Sequence, residues 1–315
     1  MSDASEAATT SASGTLLEQE YAIPPQQRFN PLRWARREPA GALGVIVIII
    51  VGFMAGAAPV LNTTNPDTLE SFTPHVLVGP NSDYYFGTDR QGRDLWSSVL
   101  YGGRISLKIG MATVLVGTVG GTLLALIAGF LAGAVDFGLS RLADMLFAVP
   151  SLLLAMIMDI VLVDKLPDLP ALPAEELARV LAIAFFFMPG AFRIMRGSVL
   201  EQRSAQYVEA ATLIGAGQFR IMLRHILPNI TGLMIVLTTI SLPAAILTEA
   251  TLSFLIGSDA PSWGAELSGD SRQFFRRAPW LAIFPGAALA LTVFAFNMFG
   301  DSVRDTLDPR LRGRI

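Results

Sequence analysis

The sequence contains no cysteine, two histidines and few charged residues. Without cysteine the chain cannot form disulfides, iron–sulfur clusters or thiolate zinc sites, and it has no cysteine nucleophile. The two histidines, His75 and His225, fall in predicted loops on opposite faces, so a histidine metal site is not expected. Charged residues make up 16% of the chain, whereas soluble domains carry about a quarter. A net charge of −3 gives no indication of nucleic acid as a partner.

Signatures of catalysis are also missing. The two lysines, Lys108 and Lys165, do not follow a glycine, so the chain lacks a P-loop of the form Gly-x-x-x-x-Gly-Lys-Ser/Thr. No Gly-x-Ser-x-Gly nucleophile elbow is present. Asp144 and Asp159 are fifteen residues apart on one predicted helix, so they cannot face each other as a catalytic pair. The chain is therefore not expected to be an enzyme or to need a cofactor of its own.

What the sequence does contain is long apolar runs. Hydrophobic residues make up 52% of the chain and its mean hydropathy is +0.52. The runs reach the length of about 20 residues that a helix needs to cross the hydrocarbon core of a membrane. Ala55-Gly56-Ala57 resembles a signal-peptide cleavage site, but some 40 residues precede the first run, which favours an uncleaved helix. The pattern predicts an all-α membrane protein with six transmembrane helices at about 41–61, 105–135, 139–163, 177–192, 230–256 and 279–299.

The segments between the helices suggest how the chain is oriented. Arginine is concentrated before the first helix, after the fourth and in the C-terminal tail, and arginine near helix ends marks the cytoplasmic face. A multi-pass protein with both termini in the cytoplasm is therefore expected. Helices two and three are predicted to form a tight hairpin at Asp136-Phe137-Gly138. The predicted organisation is a disordered, basic arm at 1–40, a first helix at 41–61, an extracytoplasmic loop at 62–104, a five-helix core at 105–303 and a tail at 304–315.

The cytoplasmic loop at 196–228 within this core carries the most distinctive pattern. Two helical stretches, at about 201–214 and 218–226, are separated by Gly215-Ala216-Gly217, and glycine allows a sharp reversal of the chain. Pro228 is predicted to end the second stretch. The first stretch carries Glu209-Ala210-Ala211, a combination that offers a partner close backbone approach and one directional charge. One alternative is a solvent-exposed helical hairpin without a partner. Another is a surface helix lying on the membrane, which the helix–glycine–helix spacing fits less well.

This loop resembles a known family. Glu209-Ala210-Ala211, Gly215 and Leu227-Pro228 are similar to the "EAA" loop of bacterial ABC importer permeases, although His225 stands where that pattern has isoleucine. The wider resemblance, over roughly residues 80 to 312, is to the C-type permease subunits of dipeptide, oligopeptide and nickel importers. Its other motifs are Gly87-Thr88-Asp89, Gln91-Gly92-Arg93-Asp94, residues 101–107, Arg141 with Asp144 and Pro150, residues 249–255, and Gly300-Asp301 with Arg304-Asp305 and residues 307–310.

The resemblance implies a type I ABC importer permease fold with cytoplasmic coupling helices, in a bacterial plasma (inner) membrane. The implied partners are a homologous B-type permease subunit as the other half of a heterodimer, two ATP-binding subunits that hold ATP and Mg²⁺, and an extracytoplasmic substrate-binding protein. Dipeptides or oligopeptides are the first expectation for the substrate. The implied ATPase-coupling residues are Glu209, Ala210, Ala211, Gly215, Leu227 and Pro228.

Other functions stay open on the sequence alone. Related systems with this pattern import nickel, glutathione-like peptides or oligosaccharides. A secondary transporter or channel working without ATP is a further alternative, although the two halves of the chain show no internal repeat. A structural or assembly protein of the membrane, without a substrate path, is a third class.

Three acidic residues within the predicted helices need an explanation, because charge in the hydrocarbon region is costly. Asp144 is expected to pair locally with Arg141, three residues before it. Asp159, near an outer helix end, is expected to reach the headgroups. Glu249 either lines an outer gate or hydrogen-bonds a neighbouring helix. In helix two, Gly-x-x-x-Gly pairs at 117/121 and 129/133 predict close helix packing.

Overall fold

The structure is a computed structural model that describes residues 31–63, 75–170, 172–258 and 261–307. Within these ranges the regular secondary structure is helical, and the pairing between Thr88 and Asp94 is an isolated bridge rather than a strand. The expectation of an all-α fold is therefore confirmed. Residues 1–30 of the predicted arm and 308–315 of the predicted tail lie outside the described residues.

The chain up to Arg37 forms one unit and the remainder a second. In the first unit, helix α1 (Pro31–Arg37) carries Arg36 and Arg37 in its last turn. The helices of the second unit are α2 (Pro39–Gly56), α3 (Ala58–Leu61), α4 (Leu95–Leu131), α5 (Gly133–Ala148), α6 (Ser151–Val163), α7 (Ala174–Arg203), α8 (Gln206–Leu213), α9 (Gln218–Ile221) with a π-helical turn (Met222–Ile226), α10 (Leu227–Ile256), α11 (Trp263–Leu267), α12 (Gly269–Gln273) and α13 (Trp280–Leu307).

Five helical stretches among the described residues are long and apolar enough to cross a membrane. They are α2, α4, α7, the continuous run from α9 to α10, and α13. Helices α5 and α6 pass the same test together but are bent by 97° between them, so they count as a sixth span only if the bent pair is one span. Five of the six predicted spans are thus single long helices, and the predicted third is the bent pair α5 and α6.

The predicted hairpin between helices two and three is placed wrongly. The chain turns at Ala132 and Gly133, which adopt φ angles of 53° and 60°, and Asp136 lies in the first turn of α5. The predicted third helix is also interrupted, since α5 ends at Ala148 and α6 begins at Ser151. Pro150 accounts for this second break, because proline has no N–H to continue the helical ladder and its ring clashes with the preceding turn.

Two helices extend beyond their apolar cores. Helix α4 begins at Leu95 rather than at 105, because the carboxylate of Asp94 accepts hydrogen bonds from the backbone N–H groups of Trp96 and Ser97 and caps the helix. Helix α7 runs from Ala174 to Arg203, well beyond the apolar window at 177–192. The predicted 62–104 loop therefore contains the first ten residues of a helix. Hydropathy marks the stretch that sits in hydrocarbon, whereas the helix continues into the polar flanks.

Helix α4 packs closely along α7, and glycine makes this possible. A Cβ atom built on Gly121 would lie 2.7 Å from Cβ of Ala191 and 2.8 Å from the backbone nitrogen of Phe192. On Gly117 it would lie 3.1 Å from the carbonyl oxygen of Ala184. The predicted close packing at the 117/121 pair is thus present. In the second pair only Gly129 is tightly packed, since nothing lies within 4 Å of the same position on Gly133.

Candidate coupling loop and intramembrane ion pairs

The loop between α7 and α10 folds as two helices around a glycine turn. Gly215 adopts a φ angle of 85°, a conformation that favours glycine. Its N–H donates to the carbonyl oxygen of Thr212 at 2.9 Å, and the N–H of Ala216 donates to that of Ala211 at 3.0 Å. These bonds satisfy carbonyl groups at the end of α8. The first helical stretch is shorter than predicted, because Ser204 and Ala205 separate Arg203 from the start of α8.

Pro228 does not end the second stretch, as the sequence had suggested. The π-helical turn Met222–Ile226 continues directly into α10, and Pro228 lies in the first turn of that helix. The N–H of Leu227 donates to the carbonyl oxygen of Met222, five residues back, so the wider π-helical turn immediately precedes the proline, which has no N–H to continue the ladder. Leu227 and Pro228 therefore mark the junction at which the loop joins a membrane-spanning helix.

The six predicted coupling residues divide into exposed and inward-facing groups. Glu209, Ala210, Gly215 and Pro228 are exposed. Ala211 and Leu227 are partly buried and pack against a core cluster that contains Val208, Ile221 and Ile226. The structure therefore brings Glu209 and Ala210 to the surface of α8 and turns Ala211 inward.

An exposed apolar tip of the loop was missed by sequence reasoning. Leu213, Ile214 and Phe219 lie on either side of the glycine turn, and their exposed fractions are 83%, 87% and 70%. We call these three residues the loop tip. Clustered exposed apolar residues mark contact sites more often than isolated ones do. The sequence signal that could have predicted the loop tip was the presence of apolar residues on both sides of Gly215–Gly217 in an otherwise polar loop.

The base of the loop is fixed to the end of α4. The guanidinium group of Arg203 donates to the carbonyl oxygen of Gly129 at 3.2 Å and lies 5.9 Å from the ring centre of Phe130. The hydroxyl of Tyr207 donates to Gln202 at 2.7 Å. A force applied to α8 would therefore act on two membrane-spanning helices, α4 and α7.

Two ion pairs join α7 to α5 above this base. Arg196 contacts both carboxylate oxygens of Asp136. The side chain of Asp144 pairs with Arg193 at 2.6 Å, whereas its distance to Arg141 is 4.0 Å. The predicted local pair is thus present but is the longer of the two contacts of Asp144. Its closer partner is on a neighbouring helix, which the sequence did not indicate.

Glu249 is completely buried near the other end of the spans. One of its carboxylate oxygens accepts a hydrogen bond from the Ser253 hydroxyl at 2.7 Å. Ser253 in turn accepts a hydrogen bond from Arg179 on α7 at 3.1 Å. The hydroxyls of Ser106 and Ser262 also lie beside the Glu249 carboxylate. In this conformation Glu249 is enclosed among α4, α7, α10 and the start of α11 rather than lining an open passage.

Arg179 is the charged residue that sequence analysis missed. It is buried, and its guanidinium group lies 3.1 Å from Glu175, 3.3 Å from the carbonyl oxygen of Gly257 and 3.6 Å from Asp159. Asp159 does not reach the headgroups, as had been expected, but is buried beside this arginine. An arginine inside an apolar block, four residues after Glu175, was the overlooked signal, because intramembrane charge requires a partner.

Long apolar helices, one broken span and an exposed loop between two spans define a multi-span helical membrane protein. The chain belongs to the family of binding-protein-dependent transport system inner membrane components, whose sequence profile matches residues 121–313. The resemblance seen in the motifs is therefore confirmed, and the chain is a multi-pass inner-membrane permease component.

Several characterised relatives match nearly the whole chain. The dipeptide transport system permease protein of Alkalihalophilus pseudofirmus is 36% identical over 92% of this chain and 94% of its own length. The glutathione transport system permease protein of Pectobacterium atrosepticum is 36% identical over 89% and 90%. The oligopeptide transport system permease protein of Bacillus subtilis is 35% identical over 88% of both chains.

Proposed function

We propose that this chain is a transmembrane subunit of an ATP-driven importer and forms half of a translocation pathway for dipeptides or oligopeptides. The other half is a homologous B-type permease subunit. An extracytoplasmic binding protein delivers the peptide, and two ATP-binding subunits hold ATP and Mg²⁺. The similarity to relatives named for dipeptide, glutathione and oligopeptide transport supports a peptide substrate.

The loop between α7 and α10 is the proposed contact with the ATP-binding subunits. The observation that carries this proposal is the loop tip, which exposes three large apolar side chains next to the exposed Glu209 and Ala210. Leu213, Ile214 and Phe219 enter a groove on the partner, and Glu209 contacts an arginine or backbone donors there. Ala211 and Leu227 hold the loop against its own core, Gly215 forms the turn and Pro228 begins α10.

In this arrangement both termini and the loop face the cytoplasm. The concentration of arginine in the sequence before the first span, after the fourth and in the C-terminal tail supports this orientation, because arginine near helix ends marks the cytoplasmic face of multi-pass proteins. Hydrolysis in the ATP-binding subunits moves the loop, and Arg203, Arg196 and Arg193 pass the movement to α4 and α5.

Reconstitution tests the proposal. The chain is co-purified with its partner permease and ATP-binding subunits and inserted into proteoliposomes with the binding protein. Labelled dipeptides, oligopeptides, nickel and oligosaccharides are then supplied with and without ATP. Peptide uptake that requires both ATP and the binding protein is expected. Uptake of nickel or oligosaccharide but not of peptides would contradict the peptide assignment and identify the substrate instead. Uptake without the ATP-binding subunits would indicate a secondary transporter or channel.

A further inference from the structure

The break between α5 and α6 encloses a cleft at the middle of the spans. The cleft has a volume of about 370 Å³. We call it the break cleft, and its principal walls are formed by Phe147, Val149, Pro150, Leu154, Phe185 and Phe186. A volume of this size lies in the range of about 300 to 1,000 Å³ that is typical of small-molecule sites.

The depth of the break cleft follows from its position on α7. Phe185 and Phe186 lie halfway along the apolar window at 177–192. Beside them, Ala184 and Ala191 pack on Gly117 and Gly121 of α4. The cleft is therefore near the middle of the apolar window of α7.

Backbone polar groups border this apolar space. Because α5 ends and α6 begins at the break, the regular ladder is interrupted there. Only part of it is replaced: the N–H of Val149 donates to Leu146 at 3.4 Å and that of Leu154 to Pro150 at 3.0 Å. On α7, Pro189 also borders the cleft and has no N–H to donate to the carbonyl group of Phe185. Irregular backbone at membrane depth is tolerated where it is buried in protein or lines a water-filled cavity. Discontinuous helices at the midplane are a recurrent way to bind transported substrates.

A pair of exposed charges lies at the rim of the break cleft. The guanidinium group of Arg193 is 4.5 Å from the ring centre of Phe147, a wall residue, and 2.6 Å from the carboxylate of Asp144. The exposed fractions of the two charged side chains are 60% and 49%. Charged side chains so exposed face water or protein rather than hydrocarbon. The rim therefore opens towards water, lipid headgroups or a partner subunit rather than towards hydrocarbon.

We propose that the break cleft is a subsite for an apolar side chain of the peptide during its passage, with Arg193 placed to meet the peptide's terminal carboxylate. This inference rests on the proposed function and adds a specificity-determining site to it. The chemistry of the walls favours this ligand: Ser151 is the one lining residue with a polar side chain. Nickel requires several nitrogen, oxygen or sulfur ligands, and the lining side chains do not supply them.

Filling the cleft tests the proposal in the complete transporter. Leu154→Trp places an indole in the cleft, whereas Leu153→Trp makes the same change at the preceding position, which is half exposed and does not line the cleft. Uptake of alanyl-alanine is compared with uptake of dipeptides containing leucine or phenylalanine. Leu154→Trp is expected to lower the ratio of bulky to small peptide uptake by roughly tenfold or more. Leu153→Trp should leave this ratio unchanged, and both variants should keep ATP hydrolysis stimulated by the binding protein.

Phe186→Ala provides an independent variant that enlarges the cleft, and it should shift the ratio towards bulky peptides. The subsite is overturned if either variant assembles and keeps the wild-type ratio of bulky to small peptide uptake. It is also overturned if uptake of all peptides falls equally in both variants. If the wild-type complex imports no peptide at all, the proposed function and the subsite are both overturned. If the wild type imports peptides and the variants keep its uptake ratio, only the subsite is overturned.

Discussion

The guanidinium group of Arg196 and the carboxylate of Asp136 form a two-point ion pair, with 2.5 Å between Nη2 and Oδ2. The pair joins α7 to the first turn of α5, two turns of helix before α7 ends at the loop. Both side chains are partly shielded from solvent. Bidentate contacts between arginine and a carboxylate fix orientation as well as distance. This pair is therefore placed to make α5 follow the movement of α7.

Removing either partner of this pair is expected to weaken the link between α5 and α7. Asp136→Asn and Arg196→Gln should each raise the number of ATP molecules hydrolysed per peptide imported by the reconstituted transporter. The exchange Asp136→Arg with Arg196→Asp should recover part of the loss. A double-mutant cycle should give a coupling energy of about 1 kcal/mol or more in thermal unfolding. Additive single losses would show that the contact has no energetic role.

Glu209 offers a second test, because it is the acidic residue in the first turn of α8 and is exposed. Reversing a charge at an interface disfavours association with the original partner. Glu209→Lys is expected to lower peptide uptake and the binding of the ATP-binding subunits by about tenfold or more, and Glu209→Ala by less. The amount inserted in the membrane should not change. Glu201 is an exposed acid at the end of α7, so Glu201→Lys is the matched control. Uptake at the wild-type level in Glu209→Lys would contradict the coupling role.

The loop tip and Ala211 should respond differently to the same substitution. Ile214→Asp changes a side chain that is almost fully exposed, so the thermal stability of the permease should be unchanged while co-purification of the ATP-binding subunits is lost. Ala211→Asp introduces a carboxylate into the contact with Val208 and Ile221, and it should destabilise the chain by about 1–3 kcal/mol. Melting curves and pull-downs of the same preparations separate the two effects. Equal melting temperatures for the two variants would contradict the assignment of faces.

Hydropathy predicted most of the spans because the cost of burying polar groups in hydrocarbon is a local property of the sequence. It could not predict where the helices end. Leu95 begins α4 because Asp94 caps it, and Ala174 begins α7 well before its apolar window. The break at Pro150 was likewise hidden, since proline can either kink a helix or end it. The angle of 97° also depends on how α5 and α6 pack against α7, which the local sequence does not show.

The family motifs located the loop but not its orientation. Whether Ala210 or Ala211 faces outward depends on which side of α8 meets the cluster of Val208, Ile221 and Ile226, and those contacts form only in the folded chain. Arg179 was missed for a similar reason. Its partners Ser253 and Gly257 are 74 and 78 residues away along the chain, so the local sequence shows only Glu175 and Glu176 as nearby acids.

The buried position of Arg179 leads to the last prediction. Arg179→Met removes the guanidinium group but leaves the Asp159 carboxylate buried without its charged partner. Breaking a buried ion pair from one side costs about 3–5 kcal/mol, so the variant should be strongly destabilised in thermal unfolding of the detergent-solubilised transporter. Adding Asp159→Asn should recover part of this loss, because the amide no longer carries the uncompensated charge. Arg104→Met, at an exposed position of α4, should have little effect, and equal losses at positions 104 and 179 would contradict a specific role for the buried arginine.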